Sequence, residues 1–149
     1  MPERRTVEFA RLDEVMPEVN RLLAGCTTVG NWSLGQICKH LNAAIRSSVE
    51  GYGANAPWLI RATLGRVFKR KILRTGRIAE GIKTSPTLIP TPGLDDRAEA
   101  EALRAAIAYY LAHSEKRALH PFFGRMTAAE YDRLHCVHCA HHLSFALPA

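Results

Sequence analysis

Two stretches of the chain mark the start of a helix in the same way, and together they constrain the fold more than any other feature. Ser33-Leu34-Gly35-Gln36 and Thr127-Ala128-Ala129-Glu130 each place a hydroxyl residue three positions before Gln or Glu. In such a capping box the hydroxyl accepts one unpaired amide of the first turn, and the Gln or Glu reaches back to another. An apolar residue precedes each box and can staple onto the first turn: Trp32 with Ile37, Met126 with Tyr131. Behind the first box, Leu34, Ile37, Cys38, Leu41, Ala44, Ile45 and Ser48 trace one helical face as far as Gly51-Tyr52-Gly53. Behind the second, the pattern runs to Pro148.

Two more helices follow from the same period. Leu12, Val15, Met16, Val19, Leu22 and Leu23 predict one from about Arg11 to Ala24, closed by Gly25, with Pro17 kinking or dividing it. Asp95 or Asp96 opens another, which continues through Leu103, Ala106, Ile107, Tyr110 and Leu111 to about His113. Strand patterning is slight. Four amphipathic helices without internal repeat or linker predict an all-α four-helix bundle, one domain over residues 1–149. A long connection, Ala54 to Gly93, separates the second and third main helices. Trp58 to Leu73 can form a further helix within it, whereas Pro86, Pro90, Pro92 and Gly93 forbid regular structure.

Composition removes several function classes. A hydrophobic fraction of 47% and a charged fraction of 23% exclude a disordered or fibrous chain. No window approaches the roughly 18 apolar residues of a membrane span. Met1-Pro2-Glu3-Arg4-Arg5 is followed by no apolar signal core. The expectation is a cytoplasmic protein with no membrane association, its cysteines (Cys26, Cys38, Cys136, Cys139) reduced and at least Cys26 and Cys38 serving as small buried hydrophobes. The net charge of +6 does not demand nucleic acid. Seven positive charges fall between Arg61 and Arg77. Leu64, Val67, Phe68 and Ile72 are interleaved with them at helical spacing, so the stretch reads as an ordinary amphipathic helix with a solvated basic face, and no nucleic-acid partner is expected.

Histidine carries the chemistry. Four of the seven histidines lie between His135 and His142. On a wheel of about 100° per residue, with His138 at zero, His142 falls at about 40° and Leu134, Tyr131 and Phe145 within about 40° on either side. His138 and His142 therefore occupy the apolar stripe of the last helix, where an unpartnered imidazole is costly. Two histidines one turn apart can share a metal ion. His40, at the flank of the second helix's stripe, completes the set if those helices are neighbours. Three nitrogens leave a coordination position open, as in catalytic zinc sites, and are equally compatible with nickel or iron. His135 and His141 flank the stripe and can replace a member or orient one. His113 and His120 read as surface or loop residues. The same pattern also fits a non-catalytic binding or stress-response bundle with a polar histidine core. Cys136-Val137-His138-Cys139 lies well inside its helix and turns away from His138, which argues against redox chemistry.

Asn31-Trp32-Ser33-Leu34-Gly35-Gln36 with His40-Leu41 resembles the second-helix signature of a DinB-like branch, domain of unknown function 1569. His120-Pro121-Phe122-Phe123-Gly124-Arg125-Met126-Thr127 and His138-Cys139-Ala140-His141-His142-Leu143-Ser144-Phe145 resemble its second half. The resemblance implies a four-helix bundle holding a divalent metal through one histidine of the second helix and two of the last. By position these are His40, His138 and His142. Some members of the wider superfamily are thiol-dependent transferases and others are described as hydrolases. The resemblance thus implies a metal-dependent enzyme acting on a small molecule, with a low-molecular-weight thiol as one candidate, and it admits a homodimer. In that setting His141 or His135 would assist proton transfer, and Tyr131 or Trp32 would line the pocket. No acidic residue near the last-helix pair stands out as a general base.

Overall fold

The computed structural model describes residues 3–82 and 86–149. Helix α1 (Val15–Leu23) is entered through a 3-10 turn over Leu12–Glu14. The segment expected as one helix is thus divided ahead of Pro17, which falls in the third position of α1, where an amide has no carbonyl within the helix to reach. Helix α2 (Leu34–Glu50) starts at the first capping box: Gln36 N donates to Ser33 Oγ at 3.2 Å, and Ser33 N donates to Gln36 Oε1 at 2.9 Å. The predicted middle helix is present as α3 (Trp58–Ile60), a π-helical turn (Arg61–Gly65) and α4 (Arg66–Thr75), running end to end. Helix α5 (Asp96–Ala112) is capped by Asp95, whose Oδ1 accepts from Ala98 N at 2.7 Å. Helix α6 (Ala128–Leu143) starts at the second box, with both Thr127–Glu130 bonds at 3.1 Å.

Helix α6 stops at Leu143, not at Pro148. Ala146–Pro148 is instead a strand, β2, antiparallel to β1 (Cys26–Thr28), with Cys26 opposite Pro148 and Thr28 opposite Ala146. Strands of three residues have no period to read, and pairing overrides the helical run of Phe145, Ala146 and Leu147. The chain is thus mostly helical with one small two-stranded sheet.

Helix α2 lies along α5 and also packs on α6, while α1 touches both α5 and α6. Their shared core includes Val15, Leu22, Ile37, Leu41, Ile45, Leu103, Tyr110, Tyr131 and Leu143. Each such aliphatic or aromatic side chain contributes about 1.5–3 kcal/mol when fully buried. Gly35 N donates to Asp96 Oδ1 at 2.7 Å, which sets the N-termini of α2 and α5 side by side. A Cβ at residue 35 would lie 2.9 Å from that oxygen, so the close approach requires glycine. The two helices therefore run parallel, and the long connection must carry the chain back. Its last part forms a strap along the first turns of α2: Leu88 O, Pro90 O and Asp96 Oδ1 accept from His40 Nδ1, Gln36 Nε2 and Gly35 N. The part of the connection at 83–85 lies outside the described residues.

Helix α4 does not bury the face the sequence suggests. Ile72 is buried, but Leu64, Val67 and Phe68 are exposed. The segment docks through Gly65, where a Cβ would lie 2.0 Å from Phe122 O, and through Lys69, which pairs with Glu130 at 2.8 Å. Those two contacts rotate the neighbouring apolar residues outward. Among the described residues no helix is long and apolar enough to cross a membrane.

Candidate metal centre

Helices α2 and α6 run antiparallel, so the start of one meets the end of the other. His40, in the second turn of α2, faces His138 and His142 in the last turns of α6. His138 Nε2 lies 3.0 Å from His40 Nε2 and 3.0 Å from His142 Nε2. One ligand atom from each of the three falls within 4.8 Å of the others. Nitrogens 3.0 Å apart, as His138 Nε2 is from each of the other two, can share a single ion at the usual distance of about 2.0–2.1 Å.

The proton positions sharpen this geometry. The Leu88 carbonyl can only accept, so His40 carries its proton on Nδ1 and donates at 2.8 Å. In the neutral ring, Nε2 is then a lone pair directed at His138. Burial holds the pKa of His40 below the ordinary value, partly opposed by the Leu88 bond. Burial and the neighbouring His142 and His40 rings hold His138 well below it, and burial with His40 and His141 pushes His142 down to about 2. All three rings are therefore neutral near pH 7. If His138 Nε2 also bears a lone pair, two lone pairs meet at 3.0 Å. If it bears hydrogen, that hydrogen can be donated to only one of the two facing nitrogens well. A cation at the meeting point would satisfy all three nitrogens at once, and the Leu88 carbonyl holds His40 in the tautomer such an ion would need.

Trp32, immediately before the first capping box, walls the site. Its ring stacks on His142 (centroids 5.4 Å apart, planes at 16°) and tilts against His40 at 5.0 Å. His141 stands edge-on to His142 at 5.0 Å, with Phe145 on its other side. Arg4 Nη1 donates to His141 Nδ1 at 3.3 Å and Arg4 Nε pairs with Glu80 Oε1 at 3.0 Å. Burial, and then the Arg4 charge, lowers the His141 pKa to about 4. The Arg4–Glu80 pair has no signature in the sequence, because both residues lie far from either histidine helix along the chain.

The family model described as "Protein of unknown function (DUF1569)" matches residues 1–149. The chain belongs to the DUF1569 family. No curated protein and no solved structure matches it.

Other candidate residues of this DUF1569 chain fall elsewhere. His135 does not join the three histidines: its Nε2 lies 2.9 Å from Ser48 Oγ, near the end of α2, in the core. Tyr131 stacks on His135 and donates to Ala118 O at 2.9 Å, so it does not line the site. His120 is no free loop residue, since its Nδ1 accepts from Phe122 N and Phe123 N. His113 donates to Tyr109 O at 2.8 Å. Cys38, Cys136 and Cys139 are buried, Cys26 is half-buried, and none is in a disulfide. Burial pushes the Cys136 thiol up to about 11 and raises Cys139 as well, which leaves neither thiolate for redox exchange.

Proposed function

We propose that His40, His138 and His142 hold one divalent ion and that the protein is a metal-dependent enzyme of the transferase or hydrolase type acting on a small molecule. The observation that carries this reading is the convergence of three neutral imidazole nitrogens, one of them fixed as a lone pair by Leu88. Bound there, a zinc, nickel or iron ion would lower the pKa of a thiol or water in its open position. The chain's own part is to hold three nitrogens in place and to cover them with Trp32. His141, steered by Arg4, is the candidate for hydrogen bonding or proton transfer beside His142. The packing of α1, α2, α5 and α6 around one core supports a DinB-like four-helix bundle as the scaffold. Four unpaired cysteines suit a reducing compartment, the cytoplasm.

The test is metal analysis by mass spectrometry on untagged protein purified without a nickel column or chelator. About one ion per chain is expected, lost in His40→Ala and in His142→Ala. Protein that arrives empty, and takes up neither zinc nor nickel tightly, would leave the three rings as a polar core and end the enzyme reading. Thiol-transfer and ester-hydrolysis screens on loaded protein would then separate the two reaction types.

A further inference from the structure

The α3–α4 segment carries a run of exposed large apolar side chains. Trp58 is 71% exposed, Leu64 55%, Val67 64% and Phe68 43%. A folded chain leaves single apolar residues outside without consequence, but a run of large ones on a single element marks a contact surface. On the regular helix, Arg70, Lys71 and Arg74 follow Val67 at three, four and seven positions, so they share its outward face. From Arg61 to Arg77 every charged residue is positive. Among the described residues only Lys69 of these has an acidic partner, Glu130. A cleft of about 440 Å³ beside the ridge is bordered by Trp58, Arg61, Arg66, Lys69 and Arg125.

We propose that this basic, apolar ridge docks onto an anionic lipid bilayer, with Trp58, Leu64, Val67 and Phe68 entering the headgroup boundary and the arginines and lysines meeting lipid phosphates. Charge selects the partner. A second copy applying the same face would bring two rows of positive charge together. A nucleic-acid backbone would satisfy the cations and leave the leucine, valine and phenylalanine in water. A bilayer surface satisfies both, because it offers phosphate above and hydrocarbon just beneath, and long basic side chains reach up while their stems stay apolar. The docked state lies on the membrane and spans nothing; it rests on the outward turn of the apolar side chains and departs from the expectation of no membrane association. It is independent of the metal centre.

The experiment is co-sedimentation with vesicles of phosphatidylcholine alone or mixed with phosphatidylglycerol. Binding to the mixed vesicles, weak binding to the neutral ones and release by raised salt are expected. Each basic side chain near an anionic surface strengthens binding roughly fivefold. Arg70→Glu, Lys71→Glu and Arg74→Glu together should therefore weaken it by more than about a hundredfold. Leu64→Ser with Val67→Ser should weaken it about tenfold or more with the charge intact. All five positions are exposed, and unchanged circular dichroism confirms that the variants fold. Trp58 emission should shift to the blue on mixed vesicles in a Trp32→Phe background. Absence of vesicle binding overturns the proposal, as does binding that ignores lipid charge. Capture of a DNA duplex or polyglutamate in place of vesicles overturns it too and assigns the face to that partner.

Discussion

His135 and His138 sit three residues apart on α6, both turned into the protein, yet their ring nitrogens meet different company. His135 Nε2 meets the Ser48 hydroxyl, which itself donates to Ile45 O at 2.6 Å, so the histidine supplies the hydrogen and the serine accepts it. Tyr110 stands edge-on to the ring and Tyr131 stacks on it. His138 Nε2 meets two other imidazole nitrogens, one of which has no hydrogen to give. The first histidine is a finished hydrogen-bonding unit. The second belongs to a cluster that its own atoms cannot satisfy. Burial alone does not distinguish a ligand from a structural histidine; the hydrogen count on the facing atoms does.

The contrast breaks most directly by substitution at the two positions. His138→Ala should reduce metal affinity by more than about a hundredfold, since loss of an outer partner alone commonly removes ten- to a hundredfold. Isothermal titration with zinc measures it, and affinity within a few fold of the parent would refute the assignment. His135→Ala should do the reverse, leaving stoichiometric metal in place while lowering stability by about 2–4 kcal/mol through a cavity and a lost buried bond. Urea unfolding gives that value, and a metal-free His135→Ala protein would show that the two clusters are one.

Acid separates them more gently. His135 is pushed down to about 3, first by burial and then by the Arg117 and His120 charges, and burial pushes His120 down to about 4. Both groups titrate near 6.5 in the unfolded chain. Below that pH the unfolded chain takes up protons that the folded one refuses. The stability they contribute is therefore full above about 6.5 and is lost as pH falls from there through the folded values. Each ring adds about 1.4 kcal/mol per pH unit to the loss. In chelator-treated protein, His135→Gln should flatten the slope of unfolding free energy between pH 6 and pH 5 by about that amount; an unchanged slope would mean that His135 is not held neutral.

The smallest expected effects belong to the caps. Ser33→Ala and Thr127→Ala should each lower the thermal midpoint by the equivalent of about 1 kcal/mol. Ser33→Ala should also loosen zinc slightly, because His40 lies two turns inside that cap, whereas Thr127→Ala, four turns from His142, should leave zinc binding untouched. Equal effects on zinc would show that the caps act on overall stability alone.

How much of this was legible beforehand depends on which interactions are periodic. The capping boxes and the apolar stripes are local, so all the main helices could be placed, and the wheel put His138 and His142 on one face. His40 needed more, since its meeting with them depends on α2 and α6 running antiparallel. The Leu88 carbonyl had no sequence signal at all, because a backbone oxygen in a proline-rich stretch looks like any other. The inward face of α4 was misread for a related reason: hydrophobicity favoured Leu64, Val67 and Phe68, but Gly65 against Phe122 O and the Lys69–Glu130 pair set the rotation. Likewise the helical period runs on past Leu143, and only pairing with Cys26–Thr28 stops it.

The strap along α2 limits how far one part of the long connection can change in length. In a free loop, doubling the length costs only about 0.6 kcal/mol in closure entropy. Between Leu88 and Asp96 both ends are tied to α2, at His40 and at Gly35. Pro90 and Pro92 stiffen the interval by narrowing what the unfolded chain can explore. One extra residue there would force either the α5 N-terminus off Gly35 or the carbonyl off His40. The first loosens the scaffold and the second frees a ring to flip its tautomer. Length in that short interval is therefore under a geometric constraint that a free loop escapes.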